Sequence, residues 1–371
     1  MKNLYTYFFV IVFFFLGSIE AKAVFTVDGV HYWKCGDGNV KVGPYSMRDE
    51  FHVTPEYYGD IVIPAEVTYE GITYQVIGFM QCAFKNSNAI YNGKPGLRSV
   101  TIEAPITEIP YECFEFSDVE EVYLPPTITS FGKWSFYRCS KLKTVEIPPS
   151  APLVSLGEMC FCDCQNLKSL SLPNSVYEMG NRCFENTGLT YFDVPSSMTY
   201  LPDRCFDNSK IEEVIIPEGV NRLGQYCFRS TRLKTLELPW PCRDIYTQLE
   251  DCFYLEKLVL HGNLYIIESL VGCYSLKELY LYQIEPPLAY DYTFEDLPDE
   301  KVLYVPEEAV ETYRTTEPWN TFIIMGISTE GIRQTVSSSE EDATFYNVHG
   351  QKVSTPGKGI FIRKGKKILL K

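Results

Sequence analysis

The chain has 371 residues, 45% of them hydrophobic, and its 33 basic and 48 acidic side chains give a formal charge of -15. That composition belongs to a globular protein with a substantial core. The acidic balance excludes a surface built for nucleic acid or for an anionic membrane, since both are polyanions.

Residues 1–23 read as a signal peptide. Lys2 supplies the positive start, Tyr7 to Leu16 an apolar run too short to span a bilayer, and Ala21-Lys22-Ala23 a cleavage site ahead of Val24. The first cysteine is Cys35, so a lipid anchor on a new terminal cysteine is not expected. No later stretch is long and apolar enough for a membrane helix, which predicts an exported chain with no membrane-spanning segment after cleavage.

Residues 24–60 fall outside any repeat and are assigned to an N-terminal β cap. Phe25-Thr26-Val27, Asp28-Gly29 and Val30-His31-Tyr32 read as strand, tight turn and strand, a hairpin placed to cover the first coil.

From 61 to 297 the chain repeats. A degenerate coil starts at Ile61-Val62-Ile63-Pro64, carries an insertion through Thr73 and ends at Ala83-Phe84. Further coils begin at Leu97, Val119, Leu142, Leu167, Leu189, Ile211, Leu233, Leu255 and Leu276, most of them 22 residues apart. The three from Leu167 to Arg232 follow one another without a gap. Each has apolar residues at positions 1, 4 and 6, proline at 7, an aliphatic at 13 and Cys-Phe at 17 and 18. Alternation at 4 and 6 predicts one short strand per coil, ended by the proline. A coil this size cannot bury its apolar face alone, so the coils must stack into a solenoid with a column of phenylalanines inside. Near the end His261 replaces the proline, and Leu249 and Leu270 replace the phenylalanine.

Residues 298–327 are predicted to cap the far end. Val302 to Val305 is a last strand, Pro306-Glu307-Glu308 opens a short helix through Tyr313, and Trp319, Phe322, Ile323 and Ile324 plug the core. A polar linker follows over 328–342. A small, basic β unit over 343–371 alternates as three short strands with glycine turns, too small for a secure core of its own.

The repeat resembles the BspA-type leucine-rich repeat, whose coils run as a strand ending in Ile-Pro, then an Ile-Gly and an Ala-Phe element. Val145-Glu146-Ile147-Pro148, Leu156-Gly157 and Cys160-Phe161 carry the likeness, as do Ile215-Ile216-Pro217, Leu223-Gly224 and Cys227-Phe228. The departure is Cys or Ser where the family more often has Ala before Phe. The last segment, with Tyr346 to Val353 and Gly359-Ile360-Phe361-Ile362, is similar to a shortened C-terminal secretion and sorting domain. The resemblance implies a right-handed, β-rich leucine-rich repeat solenoid and a secreted or cell-surface bacterial protein that binds partners. In known cases of that family the partners are host proteins or other cells.

No residues point to catalysis. Five of the thirteen cysteines (Cys113, Cys160, Cys183, Cys205, Cys227) precede the repeat's phenylalanine, and four (Cys139, Cys164, Cys252, Cys273) lie three residues before a coil's first leucine. Those are structural slots, so reduced core thiols are expected over a disulfide framework. Cys160, Cys162 and Cys164 lack a second pair at zinc-like spacing. The four histidines, His31, His52, His261 and His349, are scattered, and no phosphate loop, GxSxG elbow or HExxH occurs. No metal or cofactor is predicted.

Positions 3 and 5 of each coil point away from the core, so stacking predicts one continuous outward sheet face. Tyr123, Tyr191 and Tyr280 are its expected anchors, and Glu146, Asp193, Glu213 and Glu237 would favour a basic partner. The expected function is non-catalytic binding of a protein through this face, as in adhesion. The alternatives are a glycan-binding component of a nutrient-capture system, against which Trp33, Trp134, Trp240 and Trp319 are dispersed, or a structural envelope protein.

Overall fold

The structure, a computed structural model, describes residues 24–43, 57–85, 96–239, 244–328, 345–347, 352–353, 359–363 and 366–370. The expected signal peptide, nearly all of the linker, and His52, Trp240, Cys242 and His349 lie outside these residues. The chain divides into two units, Met1–Gly326 and Ile327–Lys371.

The first unit opens with a five-stranded sheet. Val24–Val27, Val30–Gly36 and Asn39–Val42 form successive antiparallel neighbours, Ile72–Phe79 lies parallel to the third, and Glu66–Tyr69 pairs with Ile72–Phe79. Its hairpins turn on Asp28-Gly29, Asp37-Gly38 and Glu70-Gly71, every one of these residues at positive φ, the conformation a two-residue turn needs to match strand twist. The insertion expected in the first coil is therefore the Glu66–Phe79 hairpin, and it completes this sheet. Phe25 packs within the sheet, its ring 4.5 Å from Tyr69 and 5.2 Å from Tyr74. The sheet reaches the solenoid through Phe79, which lies edge-on to Phe84 at 5.5 Å.

The solenoid is a stack of about ten parallel turns. Nearly every turn contributes to a first ladder of strands near its start. Asp60, Ser99, Glu121 and Thr144 share one register, and Ile61, Val100, Val122 and Val145 the next, pointing inward. A second ladder is built from two-residue strands, as in Glu108–Ile109, Ser130–Phe131, Ser155–Leu156 and Glu178–Met179. On the remaining side the coils are joined without strands: Phe114, Phe136, Phe161, Phe184 and Phe206 each donate a backbone hydrogen bond to the carbonyl of the residue before the next coil's phenylalanine, at 2.7 to 2.9 Å. The chain makes this tight turn with left-handed residues two before and two after each phenylalanine, among them Glu112 and Phe116, Trp134 and Arg138, and Arg182 and Asn186. None of these is glycine, so no residue type marks the turn in advance.

Inside runs the phenylalanine column. Phe84, Phe114, Phe136, Phe161, Phe184, Phe206 and Phe228 stack face to face, with successive centroids 4.8, 5.0, 5.0, 5.7, 5.6 and 5.6 Å apart and planes within 12°. Leu249 and Leu270 continue it as buried aliphatics, and Phe294 returns an aromatic ring where the cap begins. There Phe294 meets Trp319 at 4.8 Å and Phe322 at 4.9 Å, and Tyr313 meets Trp319 edge-on at 5.6 Å. Ile324 is buried with them, but Ile323 is exposed, because Ile323–Ile327 is an edge strand whose side chains alternate.

Ten of the twelve described cysteines are buried. Their role goes beyond filling space. Cys139 donates its thiol to the carbonyl of Phe114 at 2.9 Å and Cys164 to that of Phe136 at 3.1 Å, while Thr187 and Thr231, in the same repeat slot, donate to the carbonyls of Phe184 and Phe228 at 2.9 and 2.8 Å. Burial raises the thiols of Cys139 and Cys164, and that of Cys162 to about 12, which keeps these three protonated.

The second unit, taken by itself, is a four-stranded antiparallel sheet in the order Lys352–Val353, Phe345–Asn347, Gly359–Arg363, Lys366–Leu370. It has four strands where the sequence predicts three, since Lys366 and Lys367 join the final one and pair with Arg363 and Ile362.

Candidate binding surface

The outward residues of the first ladder are arranged in three groups, not in one uninterrupted sheet. The ladder is hydrogen-bonded from Gly59–Ile63 through Thr144–Glu146, again as the pair Tyr191–Asp193 and Glu213–Ile215, and again from Thr235–Leu238 to Ile323–Ile327. The expected continuous face is thus broken at Ser169 and Ser171, where no strand forms, and between Ile215 and Thr235. The first break follows a long coil, whose start at Leu142 lies 25 residues before the next at Leu167. That coil is in register on both ladders, with Thr144 beside Glu121 and Ser155 beside Ser130, and the coil after it keeps register on the second alone, where Ser155 and Glu178 align.

Each group holds some of the sequence-predicted residues. Tyr123 and Glu146 are register partners in the first, where Tyr123 donates its hydroxyl to Glu121 at 2.9 Å and Glu146 is exposed. In the second, Tyr191 lies beside Glu213 and Asp193 beside Ile215, all four exposed. In the third, Glu237, Val259, Tyr280 and Tyr304 follow one another across the strands. Glu237 is exposed and sits 2.6 Å from His261 Nε2, while His261 stacks on Tyr282 at 4.8 Å. Tyr280 is only partly exposed: its ring stacks on Tyr304 at 4.3 Å and lies under Lys257 Nζ at 4.4 Å. Desolvation, then the Glu278 carboxylate, pushes its phenol up to about 12. Tyr304, which extends this stripe by one rung, was visible as a strand residue but not as part of the face, because its coil no longer fits the repeat.

The second break opens a groove of about 570 Å3 lined by Glu212, Glu213, Arg232, Lys234 and Tyr254. Its walls remain tied by the bond from Arg232 N to the Ile211 carbonyl, at 3.0 Å. The groove presents carboxylates and cations side by side with an aromatic edge, and among the described residues none of these four charges is spent in an ion pair with another side chain. Such a site suits charged side chains of a partner. Among the described residues no cluster of His, Cys, Asp and Glu could hold a metal ion, and no helix is long and apolar enough to cross a membrane.

No curated protein matches the chain in sequence. Among solved structures the chain is similar to the pneumococcal vaccine antigen PcpA (17% identity, 82% of this chain and 98% of that one, TM-score 0.40). It is similar also to a leucine-rich repeat protein of T. pallidum (20% identity, 56% and 88%, TM-score 0.46) and to a leucine-rich cell surface protein of Faecalibacterium prausnitzii (17% identity, 87% and 99%, TM-score 0.38). The model of the BspA type leucine-rich repeat region matches in six copies over residues 83–212, 149–259 and 193–296, and the chain belongs to that family.

Proposed function

We propose that this is a non-catalytic, exported or cell-surface protein that adheres to a protein partner through the first-ladder face of its solenoid. The observation that carries the reading is the set of exposed residues Glu146, Tyr191, Asp193, Glu213 and Glu237, which puts carboxylates and an aromatic ring on the outward side of all three first-ladder groups. Solenoids bind through such faces, and the sign of these carboxylates, with a chain charge of -15, selects a partner with a basic patch. Family membership and the leader-like residues 1–23 support an exported location. The C-terminal sheet, by its resemblance to a secretion and sorting domain, would serve sorting or anchoring.

The test is binding of the protein to panels of host extracellular matrix proteins and of polysaccharides, repeated with Glu213→Lys and Glu237→Lys together. Saturable, salt-sensitive binding to a matrix protein that the double variant loses is the expected result. Binding to polysaccharide alone would favour the nutrient-capture alternative, and binding to neither would favour a structural envelope role. Protection of the partner-bound protein confined to the N-terminal sheet would remove the strand face from the proposal.

A further inference from the structure

A second surface emerges where the repeat breaks its own rule. The residue that follows each second-ladder strand is Pro110, Gly132, Gly157, Gly180, Pro202 and Gly224 in successive coils. The glycines are required by close approach: a Cβ on Gly132 would fall 2.7 Å from the backbone nitrogen of Tyr111, and on Gly157, Gly180 and Gly224 it would strike the backbone at Lys133, Glu158 and Asp203. In the last three coils the same slot holds Tyr246, Glu268 and Tyr290. The alignment is fixed by the pairing of Ile245 with Ile267 and of Ile266 with Leu288, and by the bond from Glu268 N to the Ile245 carbonyl at 2.7 Å.

These residues are not spent on packing. Tyr246 and Tyr290 are exposed, Tyr292 stacks on Tyr290 at 5.3 Å and is exposed as well, and Tyr265, just before the strand, is 72% exposed. Ten of the nineteen large apolar side chains exposed among the described residues lie between Tyr246 and Tyr292. The patch is acidic: the Asp244 carboxylate, ahead of partial desolvation and of Glu268, raises the phenol of Tyr246. Elsewhere in the solenoid tyrosines are covered by the chain's own cations. Arg222 lies over Tyr200 at 4.8 Å, Arg204 and Arg229 over Tyr226 at 4.8 and 4.9 Å, and Lys257 over Tyr280 at 4.4 Å. Among the described residues no lysine or arginine covers the four tyrosines of the patch.

We propose that Tyr246, Tyr265, Tyr290 and Tyr292, with Asp244 and Glu268, form a docking surface for an extended, arginine-bearing segment of a protein partner, separate from the first-ladder face. Guanidinium groups would lie on the open ring faces and pair with the two carboxylates, supplying in trans the cation that other tyrosines receive in cis. A second copy of this acidic chain is disfavoured by like charge, and an anionic polymer more so.

The probe is a short alternating arginine–glycine peptide, titrated against the protein beside its citrulline–glycine analogue, which keeps the shape and lacks the charge, and beside neutral oligosaccharides. The arginine peptide should bind and the citrulline peptide should not. Tyr246→Leu with Tyr290→Leu should weaken binding about tenfold, the size expected for two surface cation–π contacts. Tyr265→Leu, at a side chain too exposed to serve folding, should weaken it severalfold and guards against a folding defect in the double variant. Tyr177→Leu, at an exposed tyrosine outside both surfaces, should leave it unchanged, and Glu213→Gln with Glu237→Gln tests the first-ladder face separately. The proposal is overturned if the tyrosine variants bind the arginine peptide as the parent does, or if an oligosaccharide binds with the tyrosine dependence and the arginine peptide does not.

Discussion

The coils that carry the phenylalanine column and the coils that end it obey different rules. From Phe114 to Phe206 every turn presents a ring to two neighbours, with planes within 12°, and a glycine or proline where the backbones nearly touch. In the coils of Leu249 and Leu270 the ring is gone, the glycine slot is filled by Tyr246 and Glu268, and aromatic side chains face outward instead. A stacked repeat constrains only positions that contact the next turn, so a coil released from strict stacking has residues to spare for its surface.

The sharpest way to break this contrast is to remove one ring. Phe206→Ala should cost about 3–5 kcal/mol in urea unfolding, the usual cost of truncating a buried phenylalanine. Phe206 stacks on both Phe184 and Phe228 at 5.6 Å, so neighbouring coils lose protection from hydrogen exchange together. By contrast, Tyr265→Ala at an exposed position should move stability by no more than about 0.5 kcal/mol. Equal effects at the two sites would mean that the column does not organise the stack.

A second comparison uses one repeat slot in both regions. In Gly180→Ala the new methyl group meets the backbone of Glu158, which cannot move without parting two coils, and a loss of about 1–3 kcal/mol is expected in the same unfolding measurement. Tyr246→Ala, at the equivalent slot, should fall within about 0.5 kcal/mol of the parent. A third substitution extends the column into the region that abandons it. Leu249 is fully buried, and Leu249→Phe forces extra volume into a filled core, for a loss of up to about 1–3 kcal/mol in Tm-based or urea measurements. A gain in stability would show instead that the last coils merely lack a ring they could hold.

What could be read from the sequence follows the same division. The Cys-Phe pairs and the Leu-Gly steps recur because packing fixes them, and they located the column and the family, whereas the second ladder is a second strand in coils where one was expected. The interruption of the first ladder at Ser169 and Ser171 was not legible, since strand-forming alternation is present there all the same. The tyrosine patch was missed for a different reason. Its members stand at positions the repeat leaves unassigned, and a search for aromatic platforms that looks for tryptophans passes over them. Of the predicted anchors, Tyr191 is exposed beside Glu213, whereas Tyr280 is largely occupied by Tyr304 and Lys257, neighbours that only the stacking brings to it.

The smallest expected effect concerns charge inside the regular coils. The position after each column phenylalanine holds Glu185 in one turn and Asp207 in the next. Asp207 is buried between Arg204 at 3.0 Å and Arg229 at 2.8 Å. Glu185 has Arg182 at 3.0 Å, but burial outweighs that cation and holds its carboxyl above the ordinary range. A carboxyl whose folded pKa is raised binds its proton more tightly in the native state. The protein therefore loses stability as pH rises from the unfolded value toward the folded one, and the loss persists at neutral pH. Glu185→Gln removes that ionisation, so the variant should be slightly more stable than the parent at pH 7 and indistinguishable from it near pH 3, where both forms of the site are neutral. Unfolding curves at the two pH values decide the matter: a variant destabilised at pH 7 would mean that Arg182 holds the carboxylate firmly and that burial is not the dominant influence on this rung.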